Sequence, residues 1–594
     1  MQLPKPEYPR PQFKRKSWVN LNGQWNFEFD DANTGLNEKW FKQPLFEKEI
    51  QVPFAFQTQL SGIHESAFHD VVWYQRAFSV PEEWSGQHVL LHFGAVDYRC
   101  QVWVNGEFVT AHEGGHTPFY ADITWALEKG QNQLVVRVED RSTDLEQPRG
   151  KQFWEPESKA IFYTRTTGIW QTVWLEPVPS SYIEKIKVTP DIDQGDVRVD
   201  YFIANRSEDQ KIEIEISYSG NHLVTRVAEV GAIQFENFVR IGLPDFEAGE
   251  GKLWSPETPH LYDIQVRLIE KDHILDDVSS YFGMRKISID EGEIRLNNRP
   301  YYMKLVLDQG YYPESLLTAP SEDAIKQDIT LTKQMGFNGV RKHQKVEEPR
   351  YLYWADHLGL LVWGEMANAH TYTEQAVHRI TSEWQEAIER DYNHPSIVAW
   401  VPLNESWGIP RLKRDMRQKN HALSLFYLTK SLDQTRLVIS NDGWEHVRSD
   451  LLTIHDYTGE KETLKTRYAK TENALTYTPA DRSLYVKGFS YKGEPIFVSE
   501  FGGIAFEKSD WKGWGYTAAT SDDDFIERYY NVVSALLESP LVQGFCYTQI
   551  TDVEQEINGL LTYDRQPKVD LELIRAINEG QSLNELIKKD SLKK

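Results

Sequence analysis

Cysteine is almost missing from this chain: there are two in 594 residues, Cys100 and Cys546. They lie far apart and have no metal-ligand spacing, so they read as reduced, buried thiols rather than as disulfide partners or zinc ligands. Long apolar runs are missing too. None approaches the ~20 residues that a membrane-crossing helix needs. Residues 1–15 are rich in Pro, Lys and Arg and lack the apolar stretch of a secretion signal. These absences lead to the expectation of an intracellular, cytoplasmic protein. Positive charge is in deficit, with 65 Lys and Arg against 89 Asp and Glu and a formal net charge of −24. That balance argues against nucleic acid or an anionic membrane as partner. A small substrate is the expected partner. No internal repeat or low-complexity tract interrupts the chain.

Aromatic residues are plentiful, with 19 Trp and 29 Tyr. Their rings fill cores and also stack on the apolar faces of sugars. A chain of this length needs more than one core. Up to residue ~285 the pattern is β. Short alternating runs recur at residues 23–29, 72–78, 88–93, 101–104 and 132–138, and Asn105-Gly106 between two runs signals a hairpin. This spacing suits a β-sandwich. A boundary falls near Pro177 and Pro179. A second strand-only set follows at 185–188, 196–202, 211–217 and 262–268, with the spacing of an immunoglobulin-like sandwich. From residue 287 strands alternate with helices, the mark of a parallel sheet. Eight strand candidates end at Leu307, Arg341, Glu365, Glu405, Asn441, Tyr457, Glu500 and Gln549. Helices are expected at 322–335, 376–392, 417–432 and 523–537. Eight such units make a (β/α)8 barrel, whose active site lies at the C-terminal ends of its strands. The expected domains are 1–178, 179–286 and 287–594.

Two of the strand candidates are apolar runs that stop at a glutamate. One is Ile397-Val-Ala-Trp-Val-Pro-Leu-Asn-Glu405 and the other Pro495-Ile-Phe-Val-Ser-Glu500. Glycosidic cleavage uses such a pair: one carboxyl protonates the leaving oxygen, and an ionised one attacks the anomeric carbon. In the retaining geometry the two stand ~5–5.5 Å apart. Strands four and seven face each other across a barrel mouth. Asn404, beside the first glutamate, supplies an amide that can hold a sugar hydroxyl as charge develops. A single glutamate at a strand end is commonly a helix cap or a surface ion pair. Two after buried strands favour chemistry.

These segments resemble glycoside hydrolase family 2, which contains β-galactosidases, β-glucuronidases and β-mannosidases. Asn393-His394-Pro395 through Trp400 to Asn404-Glu405 looks like the family's acid/base signature. Ser499-Glu500-Phe501-Gly502 looks like its nucleophile strand, and Gly168-Ile-Trp-Gln-Thr-Val-Trp-Leu175 like the exit strand of its sugar-binding domain. The resemblance implies a jelly-roll sandwich, an immunoglobulin-like sandwich and a catalytic barrel, in that order. It implies Glu405 as acid/base, Glu500 as nucleophile and Tyr457 as the tyrosine bonded to the nucleophile. Arg341 and His343 match the second strand, although Arg341-Lys-His-Gln-Lys345 departs from the family's Ser-His-Tyr-Pro. Asp308, Glu365, Asn441, Asp442, Trp444 and His455 are the further strand-end candidates for substrate contact. Tyr547 stands near a family tryptophan and is a candidate sugar platform. Asp552, Glu554 and Glu556 form an acidic loop after the eighth strand, either solvated or gripping hydroxyls.

Two departures bear on the substrate. Glu556-Ile-Asn558 replaces the Asn-x-Lys element that binds the carboxylate of glucuronides, which disfavours an anionic sugar. Asn368 stands near a magnesium-ligand position of the large β-galactosidases, so no metal and no cofactor are expected. The expectation is a retaining, exo-acting hydrolase of β-linked galactoside-like, arabinoside or galactofuranoside substrates. Transglycosylation by the same residues and a non-catalytic carbohydrate-binding scaffold are the alternatives. Family members often associate through their β domains, so a homo-oligomer is a further expectation.

Overall fold

The computed structural model describes residues 3–44, 46–230, 237–508 and 512–582. The first sandwich packs a six-stranded antiparallel sheet on a four-stranded one. Its strands include Gly23–Phe29, Val71–Ser79, His88–Phe93, Arg99–Val104 and Gln131–Glu139. Alternation drives this layer: Trp25, Phe27, Tyr74, Leu91 and Val136 point into one core. Asn105 and Gly106 both have positive φ, 51° and 79°, as a two-residue hairpin turn requires. Residues 140–167, between Gln131–Glu139 and Gly168–Ile169, leave the sandwich and run to the barrel.

The second sandwich packs sheets of three and four strands. Its core is rich in β-branched residues from alternate positions, among them Ile212, Ile214, Ile216 and Val266. The buried Arg15 guanidinium ties the two sandwiches together. It bonds Glu176 at 3.1 Å and Asp276 at 3.0 and 2.9 Å.

The barrel strands are β1 Met303–Asp308, β2 Gly339–Lys342, β3 Leu361–Glu365, β4 Ile397–Val401, β5 Leu437–Val438, β6 Leu452–Asp456, β7 Ile496–Gly502 and β8 Val542–Thr548. All pairings are parallel, and the spatial order is 5-4-3-2-1-8-7-6. β5 and β6 meet through the Gly443 N–H, which donates to Thr453 Oγ1 at 3.2 Å. Helices α1 Glu322–Gln334, α2 Glu374–Asp391, α3 Met416–Leu432 and α4 Asp522–Leu537 lie where the sequence places them. Ser321, Thr373, Asp415 and Ser521 start them by accepting first-turn N–H groups. Side chains such as Leu305, Trp363, Ala399 and Cys546 fill the barrel interior. Val306, Val340, Trp400 and Tyr547 fill the layer between strands and helices.

Two strands stop earlier than expected. β4 ends at Val401 because Pro402 has no N–H to continue the ladder, and β5 ends at Val438. Glu405 and Asn441 therefore stand on the loops that follow.

Arg15→Met should leave Asp276 buried without its cation and Glu176 with Arg10 alone. We expect a loss of about 3–5 kcal/mol, read as a lower urea midpoint in tryptophan fluorescence. Glu176 is also the acid-sensitive group of this junction. Burial opposes its ionisation, but Arg10, His92 and Arg15 prevail and lower it to about 2. Its contribution is thus present above its ordinary value of 4.5 and is lost as the pH falls towards about 2.

Candidate active site

The centre of the barrel mouth is the Arg341 guanidinium, which has no solvent exposure. β2 alternation turns Val340 and Lys342 outward and Arg341 inward. Nε donates to Glu365 Oε2 at 2.7 Å. Nη1 lies 2.6 Å from Asp442 Oδ2 and donates to Glu500 Oε1 at 3.0 Å. Nη2 donates to Asn404 Oδ1 at 2.8 Å. Burial opposes the guanidinium's charge, but Asp442, Glu365 and Glu500 outweigh it and raise Arg341 well above its ordinary value. Burial, then Arg341, holds neighbouring His343 well below its ordinary value, so its imidazole is neutral.

Glu500 reaches the interior through a bulge. Ile454 pairs with Val498 but His455 with Glu500, and Val498 and Phe501 pair with Phe545 and Tyr547. The extra residue in β7 keeps Val498 and Phe501 in the outer layer and turns Glu500 inward. Its second oxygen, Oε2, accepts from the Tyr457 hydroxyl at 2.6 Å. Burial, then the Glu500 charge, raises Tyr457 well above its ordinary value, so the phenol keeps its proton.

Glu405 stands on the loop after β4 with φ of 52°. That loop is tied from two sides. Asn368 Oδ1 accepts from the Asn404 N–H at 2.9 Å, and Asn368 Nδ2 donates to the Pro402 carbonyl at 2.9 Å. The Glu405 N–H donates to the Asp442 carbonyl at 3.0 Å. One carboxylate oxygen of Glu405 lies within 4.8 Å of one on Glu500. His455 sits between them: Nδ1 is 2.8 Å from Glu405 Oε1 and 3.4 Å from Glu500 Oε2, and Nε2 is 2.9 Å from Asp442 Oδ2. Burial works against its charge, yet Glu500, Asp442 and Glu405 together raise it to about 10. Gly443 makes room for this ring, since a Cβ there would stand 2.6 Å from His455 Nδ1. Glu405, His455 and Glu500 are also the one group among the described residues with metal-ligand spacing. With His455 raised by these carboxylates, the arrangement holds a proton next to both glutamates. Among the described residues Asn404 Nδ2 has no partner and is buried beside the carboxylates, and Trp444 Nε1 has none either; both are free donors at the site.

Several candidates turn out to be elsewhere or already engaged. Asp308 and Tyr547 fall on the outward parity of their strands. Asp308 binds Lys342 at 2.7 Å behind the sheet, and Tyr547 packs against Phe501 and Tyr529 under the helices, so neither faces a sugar at the mouth. Asp552, raised by burial to about 6, is bonded to Lys568 at 2.6 Å. Glu554 accepts from the Thr164 N–H at 3.0 Å and ties its loop to the sandwich. Glu365 is enclosed by Arg341 and Gln344. Asn441 bonds Ser406 and Trp444 within the β4 and β5 loops. Trp444 packs edge-on against His455 at 5.5 Å.

Other residues at the mouth are absent from the sequence-based set. Tyr516 stacks on Tyr457 at 3.3 Å and 7°. Trp407 follows Glu405 by two positions. From the sandwich excursion, Tyr163 donates to Glu556 Oε2 at 2.6 Å, and Lys151 lies over the Trp407 ring. These lie on irregular loops, where no periodicity marks them. The Pro-Arg-Gly-Lys run at 148–151 is a local signal of a constrained turn.

Three family models match in succession. Residues 18–175 match the sugar binding domain of glycosyl hydrolases family 2, residues 181–285 the model described as glycosyl hydrolases family 2 itself, and residues 287–581 its TIM barrel domain. The β-galactosidase of Thermoanaerobacter pseudethanolicus is 27% identical over 68% of this chain and 52% of its own length. The β-glucuronidase of Rattus norvegicus is 25% identical over 82% of this chain and 77% of its own length. The chain spans about half the length of two curated relatives it matches, 51% and 52%. The crystal structure of Ruminococcus gnavus β-glucuronidase superposes with a TM-score of 0.77 at 19% identity, covering 97% of this chain and all of that one. At that identity the likeness carries the fold. With its sugar-binding sandwich, immunoglobulin-like domain and TIM barrel all matched in order, the chain belongs to glycoside hydrolase family 2, a family of glycosidases.

Proposed function

We propose that this chain is a retaining, exo-acting β-glycosidase with Glu500 as nucleophile and Glu405 as acid/base. The observation that carries this reading is the approach of the two carboxylates to within 4.8 Å, in the range of retaining rather than inverting enzymes. An oxygen of Glu500 attacks the anomeric carbon. The bond from that carbon to the leaving oxygen breaks, and Glu405 passes a proton to that oxygen. Water then attacks the same carbon, gives its proton to Glu405 and releases Glu500, so configuration is retained. Arg341 and Tyr457 each donate to a different oxygen of Glu500 and orient it. His455 holds a proton 2.8 Å from Glu405. Asn404 Nδ2 is the donor for a ring hydroxyl next to the anomeric centre.

Exo action is supported by the sandwich excursion, which closes one side of the mouth through Tyr163, Glu554 and Glu556. The names of the relatives, β-galactosidase and β-glucuronidase, support a β-linked hexoside as substrate.

A 2-fluoro glycoside should label Glu500, as read by peptide sequencing; label on another residue refutes the assignment. Glu405→Gln should lower kcat about 10²–10⁴-fold on glycosides with poor leaving groups and much less on dinitrophenyl glycosides, and equal losses refute the acid role. The third expectation concerns alkali. His455 is raised from 6.5 to about 10, so its contribution to stability is complete below pH 6.5 and is lost as pH rises through about 10. The denaturation midpoint should therefore fall between pH 7 and pH 10 by more in the wild type than in His455→Asn.

A further inference from the structure

Five lysines are buried among the described residues, and four of them meet a carboxylate. Lys5 binds Glu348, Lys342 binds Asp308, Lys345 binds Glu347, and Lys568 binds Asp552. Lys151 is 6% exposed and differs. Among the described residues no hydrogen bond or ion pair engages its ammonium, which lies over the rings of Trp407 at 5.3 Å and Tyr163 at 5.9 Å. An ammonium held over ring faces without an anion keeps its charge uncompensated by any carboxylate, and aromatic faces offset only part of that.

Its backbone is fixed firmly. The preceding Gly150, at φ of 57°, lies so close to β2 and β3 that a Cβ would stand 2.3 Å from the Gln344 carbonyl. The Gly150 N–H donates to the Asn368 carbonyl at 3.0 Å, and its own carbonyl lies 2.9 Å from His370 Nε2. The Lys151 carbonyl accepts from the Tyr163 N–H at 2.9 Å. The ammonium thus stands over the mouth, between the loop that carries Glu405 and Trp407 and the loop that carries Glu556. Its charge also contributes to holding His343 neutral. Asn558, in the loop after β8, is engaged with Glu556 and Gln549 and presents no cation there.

Resting on the glycosidase reading above, we propose that Lys151, supplied by the sandwich rather than the barrel, determines specificity by binding a carboxylate on the substrate. The preferred substrates are then glycosides that contain a uronic acid unit. Arg341 and His455 are already matched by the carboxylates around them, so one further ammonium matches a monoanion, whereas a phosphate dianion would leave charge uncompensated. The absence of the barrel lysine would then mark a relocated anion contact rather than a neutral sugar.

The test pairs 4-nitrophenyl β-D-glucuronide and β-D-galacturonide with the matching glucoside and galactoside. A second pair consists of neutral glycosides of 4-nitrophenol and 4-hydroxybenzoate. In Lys151→Met the ratio of acidic to neutral kcat/KM should fall about 100-fold, and Lys151→Arg should restore part of it. A fall confined to the uronides places the carboxylate on the scissile sugar, and one confined to the hydroxybenzoate places it on the leaving group. Equal losses on acidic and neutral substrates, or none, overturn the proposal. Calorimetry with glucuronic acid, galacturonic acid, glucose and galactose gives a readout without turnover. The wild type should bind the acids about 10-fold more tightly, and the difference should vanish in Lys151→Met. A wild type that prefers the acids but takes no label on Glu500 refutes the mechanism alone. One that is labelled there without charge preference refutes the lysine assignment alone.

Discussion

A single buried guanidinium organises the mouth of this barrel. Arg341 meets the carboxylates of Glu365, Asp442 and Glu500 and the amide of Asn404, so residues from β3, β7 and the loops after β4 and β5 share one cation. Buried carboxylates so close together repel, and they stay together only while that charge is between them. His455 extends the arrangement by one further positive charge, set between Glu405, Glu500 and Asp442. Glu405 and Glu500 are thus held by a charge balance rather than by packing alone. Arginine suits this role because its planar fork donates in several directions at once and stays protonated under burial.

Strand geometry decides which side chains join this centre. In β1 and β8 simple alternation sends Asp308 and Tyr547 to the helix side, although each ends a strand as a functional residue would. In β7 the same rule would have turned Glu500 away. The bulge between Val498 and Phe501 reverses its direction. On the fourth strand Pro402 ends the ladder, and the freed backbone carries Glu405 inward at a positive φ, held by Asn368. The position that resembles a lost metal ligand therefore serves as a clamp on the loop that carries Glu405.

The sandwich is part of the site. Residues 140–167 leave its sheet and bond Glu554 and Glu556 of the barrel. Gly150 is pressed against the ends of β2 and β3. The wall they form brings Lys151 and Tyr163 to the mouth and narrows it on one side. A barrel of this family taken alone would lack that wall.

Much of this was legible in one sequence. Period-2 runs, the Asn105-Gly106 turn and the βα alternation determined two sandwiches followed by a barrel, because those signals are local. The two glutamates were legible because each follows an apolar run long enough to be a buried strand and lies in a segment with a specific family pattern. Arg341, Tyr457 and Asn404 came with them. What tertiary structure decided was direction and distance. The inward turn of Glu500, the outward turn of Asp308 and Tyr547, and the approach of Lys151 from another domain depend on a bulge, on parity and on the packing of a long excursion. None of these leaves a period in the sequence, because each arises from contacts between residues far apart along the chain.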